Sequence, residues 1–291
     1  MKIVEIIGGL GNQMFQYALY EALKAKFPDE EILVDSSLFS KYKLHHGLEL
    51  PRIWGISLKN AKKKQIRRLR YNSDSLLLSR ILRRLPVQKK TTCIERSDMR
   101  YDPTILSQEG DRYFSGYWQN SRYFDDIRCR IQEVFTFDSF SSSENCRIHD
   151  KIMNNENSVG IHVRRGDYLS NRLFRGICTI DYYQKALSLL LTNKSKCHFF
   201  IFSNDIMWCK KNIQPLLANS PCTFVNNNSG TSSWIDMQLL SCCRHQIIAN
   251  SSFSWWASYL NRAEDSFVIA PERWKNKKSA SKIQLPNWHL I

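Results

Sequence analysis

Short apolar runs alternate with stretches of helical period along the whole chain. Residues 2–7 read as a strand. A helix follows over about 12–26, with Phe15, Leu19, Ala22 and Leu23 on one face. Residues 31–35 and 113–118 read as further strands and 122–135 as a helix. Beyond the Ser/Phe-rich residues 137–143 and the polar breaker at 154–158, the alternation restarts. Strands at 159–163, 198–203, 223–226, 246–250 and 267–270 are separated by helices at 180–191, 206–217, 233–244 and 252–261. Such alternation argues for an α/β fold with parallel sheets and crossover helices. Two wound Rossmann-like halves facing a central cleft are expected, with ligands at the carboxyl ends of the strands. The breaks near 140–155 divide the chain into an acceptor-side domain, 1–145, and a nucleotide-binding domain, 146–291. A basic helical insertion at about 57–92 interrupts the first.

Charge adds a question to this picture. With 42 Lys and Arg against 27 acids, the formal net charge is +15. Twelve of the cations lie between Lys59 and Lys90, facing one acid, Asp74, and a second cluster comprises Arg273, Lys275, Lys277, Lys278 and Lys282. A solvated helix surface and a patch held against anionic lipid both fit. Nucleic acid fits poorly, because Leu76–Leu78, Ile81 and Leu82 interleave the charges where stacking aromatics would be needed. No run of about 18 apolar residues occurs, and the first strand runs straight into glycines instead of a cleavage site. The nine scattered cysteines lack zinc spacing. A cytoplasmic protein with reduced thiols, at most peripheral at the inner face of a membrane, is expected.

Three motifs sit where strands give way to helices. In Gly8-Gly9-Leu10-Gly11-Asn12-Gln13, Gly9 and Gly11 let backbone approach a ligand, and Asn12 is placed to cap the helix. Met14 occupies the third glycine position of a dinucleotide fingerprint, so NAD is disfavoured. In His162-Val163-Arg164-Arg165-Gly166-Asp167, alternation sets His162 and Arg164 on one face and Ile161 and Val163 on the other. A guanidinium at a central strand end is a poor core group and suits a phosphate. Asp167 can bond an arginine, hold the turn or act on substrate. In Asn250-Ser251-Ser252-Phe253-Ser254-Trp255-Trp256, hydroxyls and free amides at a strand-to-helix turn make a second phosphate cradle, whereas Trp255 and Trp256 suit a core. Asp236, on the preceding helix, is a lone carboxylate able to accept two hydrogens from a guanine edge. No Asp-x-Asp and no P-loop occur; a departing diphosphate would rely on arginine and helix N-termini.

Taken with Gly116-Tyr117-Trp118-Gln119, Ser203-Asn204-Asp205 and Leu239-Leu240-Ser241, these motifs resemble the bacterial α-1,2-fucosyltransferases of glycosyltransferase family 11. The resemblance implies a GT-B architecture, GDP-β-L-fucose as donor and a galactose-terminated glycan, including a lipid-linked one, as acceptor. It also implies inversion, with no metal or other cofactor. By position, His162 and Asp236 hold guanine, Arg164 the β-phosphate, and Ser251 and Ser252 the pyrophosphate. Arg165, Ser203, Asn204, Asp205, Asn250 and Phe253 complete the donor side, and Tyr117, Trp118 and Gln119 the acceptor side. Asn12 matches a required asparagine of related protein fucosyltransferases. Where some relatives carry a glutamate base, this chain has Arg172, which leaves Asp167, Asp35, a water or no dedicated base.

Overall fold

In a computed structural model of the protein, residues 1–40, 45–71, 88–96, 98–217, 219–277 and 282–291 are described. The chain divides into two compact units, Met1–Thr136 and Phe137–Ile291. The Ser/Phe-rich stretch therefore opens the second unit. Residues 145 and 146 lie inside a helix, Ser143–Met153, that buries Asn145, Ile148 and Ile152 along one stripe. The Ser/Phe-rich 137–143 and polar 154–158 flank this helix, which is why the region reads as a break.

The first unit is built on β1 (Lys2–Glu5), β2 (Ile32–Asp35), β3 (Thr92–Ile94) and β4 (Arg112–Ser115), in the order β2-β1-β4-β3. Every pairing in it is parallel. The helix Leu10–Lys26 is buried on nearly all sides from Leu10 to Leu23, not on one face. Gly9 occupies its N-cap, so Asn12 lies within the first turn and is not the cap. The expected helix at 122–135 is broken into two 3-10 turns, Ser121–Tyr123 and Asp125–Ile127, before a short helix, Arg128–Val134.

The stretch expected as an insertion supplies part of this unit's core. Helix Lys63–Leu69 turns Ile66 and Leu69 onto Ile3, Leu33 and Tyr113, with Lys63, Lys64, Arg67 and Arg68 outward. That is the solvated amphipathic face of the first reading. Arg70, counted above among the surface cations, is buried: its Nη1 donates to Glu5 Oε1 and to the Tyr113 hydroxyl, both at 2.7 Å. Arg80, Arg83 and Arg84 lie outside the described residues.

The second unit has six parallel strands in the order β10-β9-β8-β5-β6-β7. These are β5 (Ser158–Val163), β6 (His198–Ser203), β7 (Cys222–Val225), β8 (His245–Ile247), β9 (Val268–Ala270) and β10 (His289–Leu290). The chain starts at β5, winds outward through β6 and β7, then returns to the other flank of β5 with β8. The order reverses between β5 and β8, and ligands of such sheets bind in the crevice beyond the strand ends at that point. Val159, Ile161 and Val163 pack into a core with Tyr183, Ala186 and Leu190 of the helix Ile180–Asn193. On the opposite face, Gly160 lies so close to the helix Trp234–Cys242 that a Cβ there would sit 2.4 Å from Leu240 Cδ1. Trp255 and Trp256 are fully buried core residues. Among the described residues no helix is long and apolar enough to cross a membrane.

Candidate active site

In the second unit the reversal point brings the ends of β5 and β8 side by side. Ile161 is in register with Ile247, so the chain emerges on one side as His162-Val163-Arg164 and on the other as Ile248-Ala249-Asn250-Ser251. Two tyrosines of one helix clamp these ends from beneath. The Tyr183 hydroxyl donates to His162 O at 3.1 Å, and the Tyr182 hydroxyl to Ile248 O at 2.6 Å. Burial pushes both phenols well above their ordinary value, so they stay neutral donors. Neither was among the expected site residues, because in sequence they are indistinguishable from core aromatics.

Arg164 leaves the end of β5 with Nη2 held by Asp167 Oδ1 at 2.7 Å and the guanidinium 5.4 Å from the Tyr168 ring centre. Its Nε is buried and has no hydrogen-bond partner among the described residues. A buried guanidinium donor left unpaired costs free energy unless an anion supplies the missing acceptor. Tyr168 stacks on Phe174 at 4.7 Å and hydrogen-bonds Ser251, and burial raises its phenol to about 12. Behind Arg164, His162 is buried with Nδ1 unpartnered and its ring 5.4 Å from Phe253. Burial, aided by the Arg164 charge, lowers its imidazole to about 3, so it is neutral.

The serine-rich turn after β8 opens the helix Ser252–Tyr259. Ser251 caps it by accepting from Phe253 N at 3.3 Å, whereas the Ser252 hydroxyl is half-buried and has no partner among the described residues. Asn250 is fully engaged by protein. Its Nδ2 reaches Trp274 O at 3.2 Å and its Oδ1 accepts from Cys178 Sγ, so it ties neighbouring loops to the strand end.

Arg165, Ser203, Asn204 and Asp205 form a brace. Arg165 Nε donates to Asp205 Oδ2 at 3.0 Å, with its guanidinium 4.1 Å from the Trp208 ring centre. Arg165 N donates to Asn204 Oδ1 at 2.9 Å, and Asp205 N to Ser203 Oγ at 2.9 Å. Gly166 completes the turn at φ +45, where a Cβ would meet Asn204 Nδ2 at 2.5 Å. These groups aim Arg164 by fixing the loop that carries it.

Asp236 lies in the first turn of Trp234–Cys242. That helix follows β7, so its start is at the carboxyl edge of the sheet, on the face that Gly160 and His162 share. Asn228 Nδ2 donates to Asp236 Oδ1 at 2.8 Å, yet burial raises the carboxyl to about 7.

The first unit repeats the layout on a smaller scale. Its order reverses between β1 and β4, and the loops leaving those strands meet: Gln119 Nε2 donates to Asn12 Oδ1 at 2.7 Å. Asn12 Nδ2 has no protein acceptor among the described residues. Three residues that were assigned no role from sequence hold these loops. Gln13 donates to Gly8 O and Gly47 O, Gln16 to Gly116 O, and Glu95 accepts from Tyr117 N and Gln119 N. Gly11 is buried in the helix, and Gly9 carries the His45 ring close above it. Tyr117 is 39% exposed, but Trp118 faces inward against Phe114 and Tyr123, so the acceptor-side trio is divided. Asp35 accepts from the Tyr113 hydroxyl at 2.7 Å and from Ser37 N, and is buried and spent.

The family model for Glycosyl transferase family 11 matches residues 94–291. An alpha-1,2-colitosyltransferase of Escherichia coli is 32% identical over 278 residues, 94% of this chain and 91% of its own length. The chain belongs to glycosyltransferase family 11. A second E. coli relative, the O-antigen biosynthesis glycosyltransferase WbnK, is 30% identical and covers 97% of both chains. The human galactoside alpha-(1,2)-fucosyltransferase 1 is 28% identical over 155 residues, 50% of this chain and 42% of its own. In fold, a crystal structure of the fucosyltransferase NodZ from Bradyrhizobium covers 88% of this chain and 90% of its own. Its TM-score is 0.51 at 12% identity, a likeness of fold alone. For this family 11 member it agrees with the expected GT-B build of Rossmann-like parallel-sheet units.

Proposed function

We propose that the protein transfers L-fucose from GDP-β-L-fucose, with inversion and without a metal, to the 2-hydroxyl of a terminal galactose in a surface-polysaccharide-type glycan. The observation that carries this reading is the buried, unpartnered Nε of Arg164 at the end of β5. When the bond between the sugar C1 and the β-phosphate oxygen breaks, its electron pair stays on that oxygen. The acceptor oxygen forms the new bond to C1 from the opposite side and passes its proton to water. A fixed cation aimed at the departing oxygen stabilises this charge, and such preorganised donors make up a large share of enzymatic rate enhancement. Asp167 orients the guanidinium from the other edge. Ser252 and the first amides of its helix take the remaining phosphate oxygens, and Asp236, with neutral His162 nearby, accepts from guanine. Asn12, with Gln119 and Tyr117, contacts the galactoside.

The α-1,2 linkage is supported by the names of the relatives, and a glycan of O-antigen type by WbnK. The colitosyltransferase favours a second reading, in which the same site takes a colitosyl donor. Incubation with GDP-fucose or a colitosyl nucleotide, a panel of galactosides and EDTA, with products read by mass and NMR, tests all of this. The expected product is a metal-independent fucosyl-α-1,2-galactoside. An α-1,6 product, transfer only with metal, or transfer of colitose alone would overturn the corresponding part.

A further inference from the structure

In the basic stretch after Lys59, Lys59 pairs with Glu31, Arg68 with Asp111, and Arg70 is buried on Glu5. The second basic cluster read from the sequence lies in the second unit, beside the loop that follows the short helix Asp167–Ser170. There Asn276 stitches two loops together: its N donates to Leu173 O at 2.8 Å, and its Nδ2 to Arg172 O at 3.2 Å and Arg175 O at 2.7 Å. Arg172 and Arg175 thereby stand beside Arg273, Lys275 and Lys277. Arg172, Arg175 and Arg273 are exposed and form no ion pair among the described residues. The nearby acids are taken: Asp167 by Arg164, Asp181 by Lys185 and Glu272 by Lys282. On the same segment as Arg172 and Arg175, Leu169 and Leu173 are 52% and 48% exposed.

We infer that this surface docks on an anionic lipid bilayer, with Leu169 and Leu173 entering the headgroup boundary and the arginines meeting lipid phosphates. Charge complementarity selects an anionic partner, and the two leucines select a bilayer over a soluble polyanion, which offers them nothing apolar to enter. The inference goes beyond the transferase reading and stands without it, because it concerns where the molecule rests and not what it transfers.

Flotation of the full chain with phosphatidylcholine vesicles containing roughly a quarter phosphatidylglycerol, at low salt, tests it. The wild type is expected to float with these vesicles and not with phosphatidylcholine alone. The pair Arg172→Glu and Arg175→Glu should lower the partition coefficient at least about tenfold. Leu169→Ser with Leu173→Ser should also lower it at unchanged charge, and Lys63→Glu with Lys64→Glu should leave it within about twofold. Circular dichroism melts of each variant separate lost docking from lost folding. A wild type that stays unbound overturns the inference, as does an arginine pair whose reversal changes nothing, a leucine pair without effect, or a loss confined to the lysine variant.

Discussion

Asp236 is the most pH-sensitive group of the site, since burial lifts its carboxyl to about 7. In the folded protein it keeps its proton up to that pH, whereas in the unfolded chain it ionises near the ordinary carboxylate value. The folded state therefore binds more protons across this window, and Asp236 makes folding less favourable as pH rises through it. Guanine needs the opposite form, since its N1–H and amine both donate to a carboxylate. GDP should accordingly bind about tenfold more tightly at pH 8 than at pH 6, following the ionised fraction. Calorimetry in buffers of different ionisation enthalpy should show proton release. Asp236→Asn should flatten that pH dependence and weaken binding at pH 8 by about 1.5–3 kcal/mol. Unchanged affinity would move guanine elsewhere. Asn12 supplies a contrast within the first unit, where its Nδ2 lacks a protein acceptor among the described residues. Asn12→Ala should raise the KM for the galactoside or lower turnover while leaving the Kd for GDP within about twofold, because the GDP contacts proposed above belong to the second unit.

At the scale of elements, the two tyrosines under β5 and β8 convert a helix into a support for the site. Tyr183→Phe strands the buried carbonyl of His162 and should lower stability by about 1–3 kcal/mol, read from urea midpoints at constant m. Gly160→Ala should be comparably harmful, about 1–3 kcal/mol, because the new methyl meets Leu240 and Cys243 on the packed face. Most strands and helices of the second unit were legible from alternation, since parallel strands buried on both faces stand out against amphipathic helices. The helix Ser143–Met153 was not, because only Asn145, Ile148 and Ile152 mark its inner stripe. β3 was not either, being three residues with no buried side chain. Arg70 shows how charge misleads: one-dimensional clustering cannot distinguish a surface cation from one buried on Glu5 and Tyr113 across the fold.

For the molecule as a whole, the sequence carried the α/β class and the family, because the motifs lie at strand ends where backbone geometry leaves few alternatives. It left Asp167 three roles, of which the structure shows the bond to Arg164, and it carried the core role of Trp255 and Trp256. It could not separate residues that face a ligand from those that aim them. Arg165, Asn204, Asp205 and Asn250 occupy motif positions but are bonded to protein, while Tyr182, Tyr183, Gln13, Gln16 and Glu95 support the site although no role was assigned to them from sequence. Long-range hydrogen bonds decide such roles, and they exist only once the sheets have formed. The central claim is that the Arg164 guanidinium stabilises the departing diphosphate, and turnover of Arg164→Ala with GDP-fucose and a galactoside tests it most directly. The account predicts a loss of at least about 10²-fold, the usual cost of removing one preorganised donor, with an unchanged thermal melt. A folded variant retaining more than about a tenth of wild-type turnover would contradict it.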